Sequence, residues 1–206
     1  FQDKLKLDSW DILFSDNILS IAVLNSKDKI MTINKKEKFT NKQLRRLLFH
    51  ELSVHAKRYE NGRNNLKIFS QGTKGYDLLE EGLATYKELE SGKIIDVLVL
   101  PSIKICAIYL ALNNSFYDTY NKLCKITKDQ HLALTYTLRA KRGTYKNKGA
   151  YTKDLIYFRG FFKVARYNLR NIYNFKNLNR LLIGKISFED IKNIRKIKSI
   201  PRELKL

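Results

Sequence analysis

From Thr40 to its end the chain carries helix signals almost without interruption, and this limits the folds open to it more than any other feature. Thr40-Asn41-Lys42-Gln43 is a capping box: the threonine hydroxyl accepts from the third helical N–H while the glutamine side chain reaches back. One helix of about twenty residues is predicted to follow, with Asn61-Gly62 as its stop. Further helices are expected over 76–91, where Gly92 ends the run, and from Pro101, whose fixed φ suits a first turn. A second capping box at Thr127 and Gln130 opens a helix that stops near Gly143, and others are expected over 153–170, 175–182 and 188–197, the last capped by Ser187. Ahead of Thr40, two short β-prone runs at 18–24 and 29–34 flank Asn-Ser-Lys-Asp and read as a hairpin. The fold class is therefore α+β. A small antiparallel sheet region (1–39) precedes a predominantly helical body (40–206), in a single domain.

With 44% hydrophobic residues over 206 positions the chain can bury a core, and two prolines and nine glycines leave little room for a linker. The longest apolar run, 94–112, is interrupted by Asp96, Pro101 and Lys104, which argues for a buried helix and against a membrane span. No signal-peptide succession opens the sequence, and it starts at Phe1, so it reads as a trimmed or processed fragment with a cytoplasmic setting expected. Cys106 and Cys124 sit in apolar helical patterns as free, buried thiols. The 40 Lys+Arg against 20 Asp+Glu are unevenly spread. Residues 1–100 hold 17 basic and 14 acidic side chains, whereas 101–206 hold 23 and 6. That imbalance favours an acidic partner: nucleic acid, an anionic surface or an acidic polypeptide. A genome biased toward Lys, Asn and Ile yields the same excess, so charge alone selects none of them.

The chemistry concentrates in His50-Glu51-Leu52-Ser53-Val54-His55. A metallopeptidase helix ordinarily carries its two imidazoles four apart, with a glutamate beside the first. Here they are five apart, and at about 100° per residue an ideal helix would point them roughly 140° away from each other. A single π-type widening absorbs the extra residue and returns both rings to one side, so one is predicted between His50 and His55. Glu51 lies at helical spacing from Leu44, Leu48 and His55, on the face turned to the core, where a carboxylate needs a partner. A third donor is expected from Glu80-Glu81-Gly82-Leu83-Ala84, where small Gly82 and Ala84 would let that helix approach the first. The adjacent acids Glu80 and Glu81 point about 100° apart, and spacing does not choose between them.

These stretches, together with Arg139-Ala140-Lys141-Arg142-Gly143 and the segment Tyr151 to Gly160 (YTKDLIYFRG), resemble in order and separation the motifs of the microtubule-associated tyrosine carboxypeptidase family and its bacterial relatives. The family patterns read approximately H-E-I-G-T-H, [QE]-E-G-L-A, R-A-K-R-G and [FT]-x-K-D-x-V-Y-L-x-G, and the resemblance spans residues 40 to about 195. It implies a zincin-like metallopeptidase with one zinc ion on His50, His55 and Glu81, and with Glu51 as general base. Ser53 and Val54 depart from the family's Gly and Thr, which puts local backbone hydrogen bonding at that turn in question.

A carboxypeptidase also has to read a free carboxylate, and guanidinium or ammonium groups do so. Arg139, Lys141, Arg142 and Arg159 are the candidates, and Tyr157 is a candidate hydrogen-bond donor to the tetrahedral oxyanion. The resemblance implies a polypeptide substrate with a free, acidic carboxyl terminus, the family's substrate class including tubulin tails that end in an aromatic residue. Two rival readings remain. Interleaved aromatic and basic residues at 157–175 suit a nucleic-acid-binding module with a decayed metal site, although Phe158, Phe161, Phe162 and Ala165 at helical spacing read as one buried face. A zinc endopeptidase or effector protease is the other.

Overall fold

The computed structural model describes residues 6–18, 20–145, 148–169 and 177–194, apart from the side chains of Asn177 and Lys192. Three strands, β1 (Asp11–Ser15), β2 (Ala22–Asn25) and β3 (Ile30–Asn34), form a sheet in the order β1-β3-β2. The expected hairpin is β2–β3, antiparallel, with Asn25 Oδ1 accepting from the Lys27 and Asp28 N–H groups in the turn. On its other side β1 pairs with β3 in parallel, Asp11 opposite Ile30 and Ser15 opposite Asn34, so the sheet is mixed. Sequence reasoning missed β1 because its residues are all exposed or half-buried and lack the alternation that marks a strand.

The helical body starts where the capping box places it. Helix α1 (Asn41–His50) carries both reciprocal Thr40–Gln43 bonds. It continues without a break through a π-helical turn, Glu51–Ala56, into α2 (Lys57–Asn65). Gly62 therefore does not stop the helix; it lies inside α2, where a Cβ would collide with the Phe69 carbonyl of α3 (Lys67–Gln71). Next come α4 (Tyr76–Lys87) and a 3₁₀ turn, Glu88–Ser91.

The described residues fall into two compact units, the first formed by the segments before Lys93 and from Gly160 onward, the second by Lys93–Arg159. In the first unit, one core cluster joins Met31 and Ile33 of β3 with Leu7, Trp10, Leu52 and Ala56. Another joins Val54, Leu79, Leu83 and Ala84 with Val164, Leu181, Ile186 and Ile191. Leu52 and Val54, both in the π turn, thus face different cores. Helix α8 (Leu155–Leu169) enters this unit at Gly160, which packs against Gly82 so closely that a Cβ on either would run into the other helix's backbone. The small residue of α4 thus serves the approach to α8 in place of the expected approach to the motif helix, while Ala84 shares the Val54 cluster. The buried face of α8 is Gly160, Phe161 and Val164; Phe162, expected on it, is 48% exposed.

The second unit is an assembly of α5 (Ile94–Asn113), α6 (Phe116–Thr127) and α7 (Gln130–Ala140), packed through Ala107, Ile108, Ala111, Leu123, Ala133, Tyr136 and Ala140. Helix α5 begins at Ile94, so Pro101 sits in its interior and not in its first turn. The apolar run before the proline extends the helix despite the missing N–H. Among the described residues α5 alone is long and apolar enough to cross a membrane, and 28% of that stretch is buried. Val97, Pro101, Ala107, Ile108 and Ala111 are buried, while Ile94, Ile95, Val99, Tyr109 and Leu112 are exposed, so the expected burial holds for one face only. Asp129, not Thr127, caps α7, accepting from the Leu132 N–H, while Thr127 bonds back to the Leu123 carbonyl. Cys106 and Cys124 are free thiols, half-buried. The chain ends, within the described residues, in α9 (Asn177–Arg180) and α10 (Phe188–Ile194), the latter capped by Ser187 as expected. Residues 181–187, partly expected as helix, are an irregular segment, and positions 170, 175–176 and 195–197 of the expected helices lie outside the described residues.

The glycine contact between α4 and α8 fixes a testable cost. Gly160→Ala is expected to lower unfolding free energy by about 1–3 kcal/mol, an overpacking penalty. Arg166→Ala, exposed on the same helix, should stay within about 0.5 kcal/mol, both read from urea midpoints at constant slope.

Candidate metal centre

The π turn does what the five-residue spacing demands. The Lys57 N–H reaches the Leu52 carbonyl, five residues back, so the turn is one residue wider than an α-helical one. With that residue absorbed, the His50 and His55 rings lie on the same side, their centroids 5.0 Å apart. The Ser53 hydroxyl donates to the Phe49 carbonyl inside the widened turn, so the departure from the family's glycine adds a backbone tie.

Helix α4 brings two adjacent carboxylates to these rings and gives them different tasks. Glu81 Oε2 lies 3.5 Å from His50 Nε2 and 3.8 Å from His55 Nε2. It is buried with no hydrogen-bond partner, since these separations exceed hydrogen-bond length. One donor atom from each of His50, His55 and Glu81 lies within 4.8 Å of the other two. Tetrahedral metal bonds of about 2.0–2.1 Å separate ligand atoms by about 3.4 Å, so an oxygen without a hydrogen bond at 3.5 and 3.8 Å from two nitrogens has the spacing of a metal chelate. The donor set can hold a divalent metal.

Glu80 faces the other way. Its Oε1 is 2.8 Å from His55 Nδ1, and its Oε2 accepts from Arg58 Nη1 at 3.0 Å. His50 has a matching support that sequence reasoning missed: its Nδ1 is 2.9 Å from Glu88 Oε1, and Arg46 Nε and Nη2 reach Glu88 Oε2 at 2.9 and 2.5 Å. An ionised carboxylate only accepts, so each Nδ1 carries a proton, and it is in the neutral ring that Nε2 keeps its lone pair for the metal side. In hindsight the signal is Glu88 seven residues after Glu81, two turns along one face, with Arg46 four before His50.

The electrostatics follow from these pairs. Burial works against a charged His50, but Glu81 and Glu88 against its two nitrogens and the nearby Glu51 charge outweigh it and raise its pKa to about 10. His55 is likewise raised, Glu80 overcoming desolvation. Glu80 is pulled down to about 2 against the burial penalty, by His55, Arg58 and Lys185. Glu81 and Glu88 are lowered in the same way, by the histidines and, for Glu88, by Arg46. Glu51 is half-buried and close enough for its charge to act on both rings, and among the described residues no hydrogen bond engages its side chain.

The remaining sequence candidates lie in the second unit. Arg139 is paired with both oxygens of Asp154 at 2.8 and 2.9 Å, which raises its pKa. Lys141 is 0% exposed and its ammonium donates to the carbonyls of Ala111, Asn114 and Gly149 at 3.3, 2.9 and 3.1 Å. The ammonium is thereby committed to carbonyl oxygens of its own unit. Arg142 is exposed, its guanidinium 5.4 Å from the centre of the Tyr151 ring, and Arg159 is exposed on α8. Tyr157 is half-buried with the Lys104 ammonium 3.8 Å over its ring.

Two imidazoles and a carboxylate converging from two packed helices, with a further carboxylate beside them, define the class: an α+β protein whose His₂Glu cluster could hold a metal ion. The particular family follows from comparison with known proteins. A sequence model described as "Microtubule-associated tyrosine carboxypeptidase" matches residues 2–200, and the chain belongs to that family. It is 30% identical over 159 residues to mouse microtubule-associated tyrosine carboxypeptidase 1, covering 72% of this chain and 32% of that protein. Human MATCAP2 is 30% identical over 159 residues, covering 72% of this chain and 29% of MATCAP2. The rat protein microtubule-associated tyrosine carboxypeptidase 1 is 28% identical over 156 residues, with 72% and 32% covered. The chain thus spans about a third of the length of the relatives it matches.

Metal and protons compete for the same nitrogens. A histidine whose pKa folding has raised contributes stability fully below its unfolded value, about 6.5, and loses it as pH climbs through the folded value, about 10 for His50. A metal ion binds only the deprotonated nitrogens, so its affinity runs the other way. Zinc affinity, measured by chelator competition between pH 8 and 6, is expected to fall by up to about a hundredfold per unit, the slope for two protons displaced. The zinc-induced rise in melting temperature should shrink in parallel.

Proposed function

We propose that the chain is a zinc-dependent metallopeptidase that removes one carboxyl-terminal residue, of aromatic type, from an acidic polypeptide tail. The observation that carries this reading is the unpartnered Glu81 oxygen facing two Nε2 atoms, in a chain of a tyrosine carboxypeptidase family. His50 Nε2, His55 Nε2 and Glu81 Oε2 would hold the ion, and three protein donors leave a fourth tetrahedral position open. Zinc bound there supplies a Lewis acid that polarises the scissile carbonyl and acidifies water.

Glu51 is the proton carrier. With no side-chain hydrogen bond among the described residues, it accepts the proton of the attacking water as the oxygen adds to the carbonyl carbon. It returns that proton to the nitrogen as the C–N bond breaks. No covalent acyl intermediate is needed. Tyr157 is the proposed donor to the oxyanion. Of the four basic candidates, Arg139 is committed to Asp154 and Lys141 to three carbonyls, so the terminal carboxylate falls to the exposed Arg142 and Arg159. The second unit holds twelve basic and four acidic side chains, which favours an acidic substrate. The relatives' name associates them with microtubules, and an acidic tubulin-type tail is the proposed substrate here.

Peptides with free and amidated carboxyl termini, read by mass spectrometry, test the assignment. Wild type is expected to shorten only the free peptides, by one residue. Glu51→Gln should retain zinc and lose about 10²–10⁴ in rate, and Arg142→Ala or Arg159→Ala should raise KM for free peptides. Internal cuts or equal trimming of amidated peptides would make it an endopeptidase; a metal-free protein that binds random RNA in a salt-sensitive way would return the nucleic-acid reading.

A further inference from the structure

The largest fully buried side chain among the described residues is a charged one, Arg58, 0% exposed. A buried guanidinium is tolerated only when its N–H groups and its charge are both answered. Here Nη1 donates to Glu80 Oε2 at 3.0 Å, Nε to the Gly184 carbonyl at 2.7 Å and Nη2 to the Ile186 carbonyl at 2.8 Å. Along the same face of α2, Asn61 donates to the Leu182 carbonyl at 2.7 Å and Asn65 to that of Ile183 at 3.1 Å. Side chains three and four residues apart on one helix thus read the carbonyls of a single irregular segment, 181–187. That segment is also tied to α3 and its exit, Lys185 N–H to the Phe69 carbonyl at 2.6 Å and Thr73 N–H to the Lys185 carbonyl at 2.9 Å. Gly184 is needed there, because a Cβ would come within 2.6 Å of Phe69 Cβ.

Arg58 therefore joins two things that the catalytic reading does not connect: the carboxylate that orients His55, and a strap more than a hundred residues downstream. We propose that Arg58 is a positioning residue of the metal centre, holding Glu80 against His55 Nδ1 only while segment 181–187 is docked, so that zinc affinity and strap docking are linked. The proposal rests on the metal-centre reading above. Linkage is reciprocal: a docked strap tightens zinc, and zinc tightens the strap by the same factor. Lysine cannot replace this arginine, since one ammonium lacks the planar fork that serves a carboxylate and two carbonyls together.

The test uses the whole chain with zinc alone as probe. In wild type, zinc is expected to slow hydrogen exchange of the Lys185 amide relative to the β3 amides. Arg58→Lys should weaken zinc binding by about 10–100-fold, the usual range for losing a ligand-orienting partner. Zinc-dependent protection at Lys185 should disappear with it, and Glu80→Gln added to this variant should cost little more, because both act through one chain of contacts. Asn61→Ala, which loosens the strap without touching Glu80 or His55, should weaken zinc by a smaller factor; it carries the test if Arg58→Lys does not fold. The proposal is overturned if Arg58→Lys folds and binds zinc within twofold of wild type. It is equally overturned if zinc leaves Lys185 exchange unchanged while Asn61→Ala binds like wild type. Wild type that binds no zinc removes the metal-centre reading itself, a result distinguishable from both.

Discussion

One widened helical turn carries the rest of the candidate site. Histidines five apart cannot share a ligand on a regular helix, and the π turn at Glu51–Ala56 is the smallest distortion that lets them. Such turns are rare, and contacts outside this one hold it. Leu52 is locked into the cluster with the sheet, and Val54 into the cluster with α4 and the strap. The small sheet, which contributes no donor, is thereby part of what makes the donors converge.

A second constraint is electrical. Four carboxylates, Glu51, Glu80, Glu81 and Glu88, gather around two imidazoles, and they are in three different states. Glu80 and Glu88 are consumed in orienting His55 and His50, and each is gripped by an arginine. Glu81 keeps one oxygen unanswered, and Glu51 stays outside the hydrogen-bond network described. Burial raises the cost of a polar group left without a hydrogen bond, and the two carboxylates left so, Glu81 and Glu51, are the ones proposed to engage a metal ion and a reacting water.

The second unit has its own organisation. Its polar pairs serve structure: the partly exposed Arg139 closes on Asp154, and the buried Lys141 draws together the end of α5, the residue that follows it and the Gly149 loop. The basic motif that resembles a substrate-reading cluster is therefore divided, two members built into the fold and Arg142 left exposed. Charged residues in a family motif serve packing as readily as recognition, and only their partners tell the two apart.

The sequence alone determined whatever depends on neighbours a few positions away. The capping box at Thr40, the hairpin at 22–34, the helical run through the motif and the need for a π turn all follow from local spacing and local hydrogen bonds. The α+β class followed as well. Tertiary structure decided what distant segments impose. The parallel β1 exists only through its pairing with β3, Gly62 became an approach point in place of a helix stop, and the glycine of α4 met Gly160 of α8. The division of labour between Glu80 and Glu81 was open at the level of helical angle, because adjacent residues differ only by where each helix is rotated against its neighbours. Packing set that rotation, turning Glu81 to the two Nε2 atoms and Glu80 to Arg58, a choice that helical spacing does not contain and that only the motif resemblance had implied.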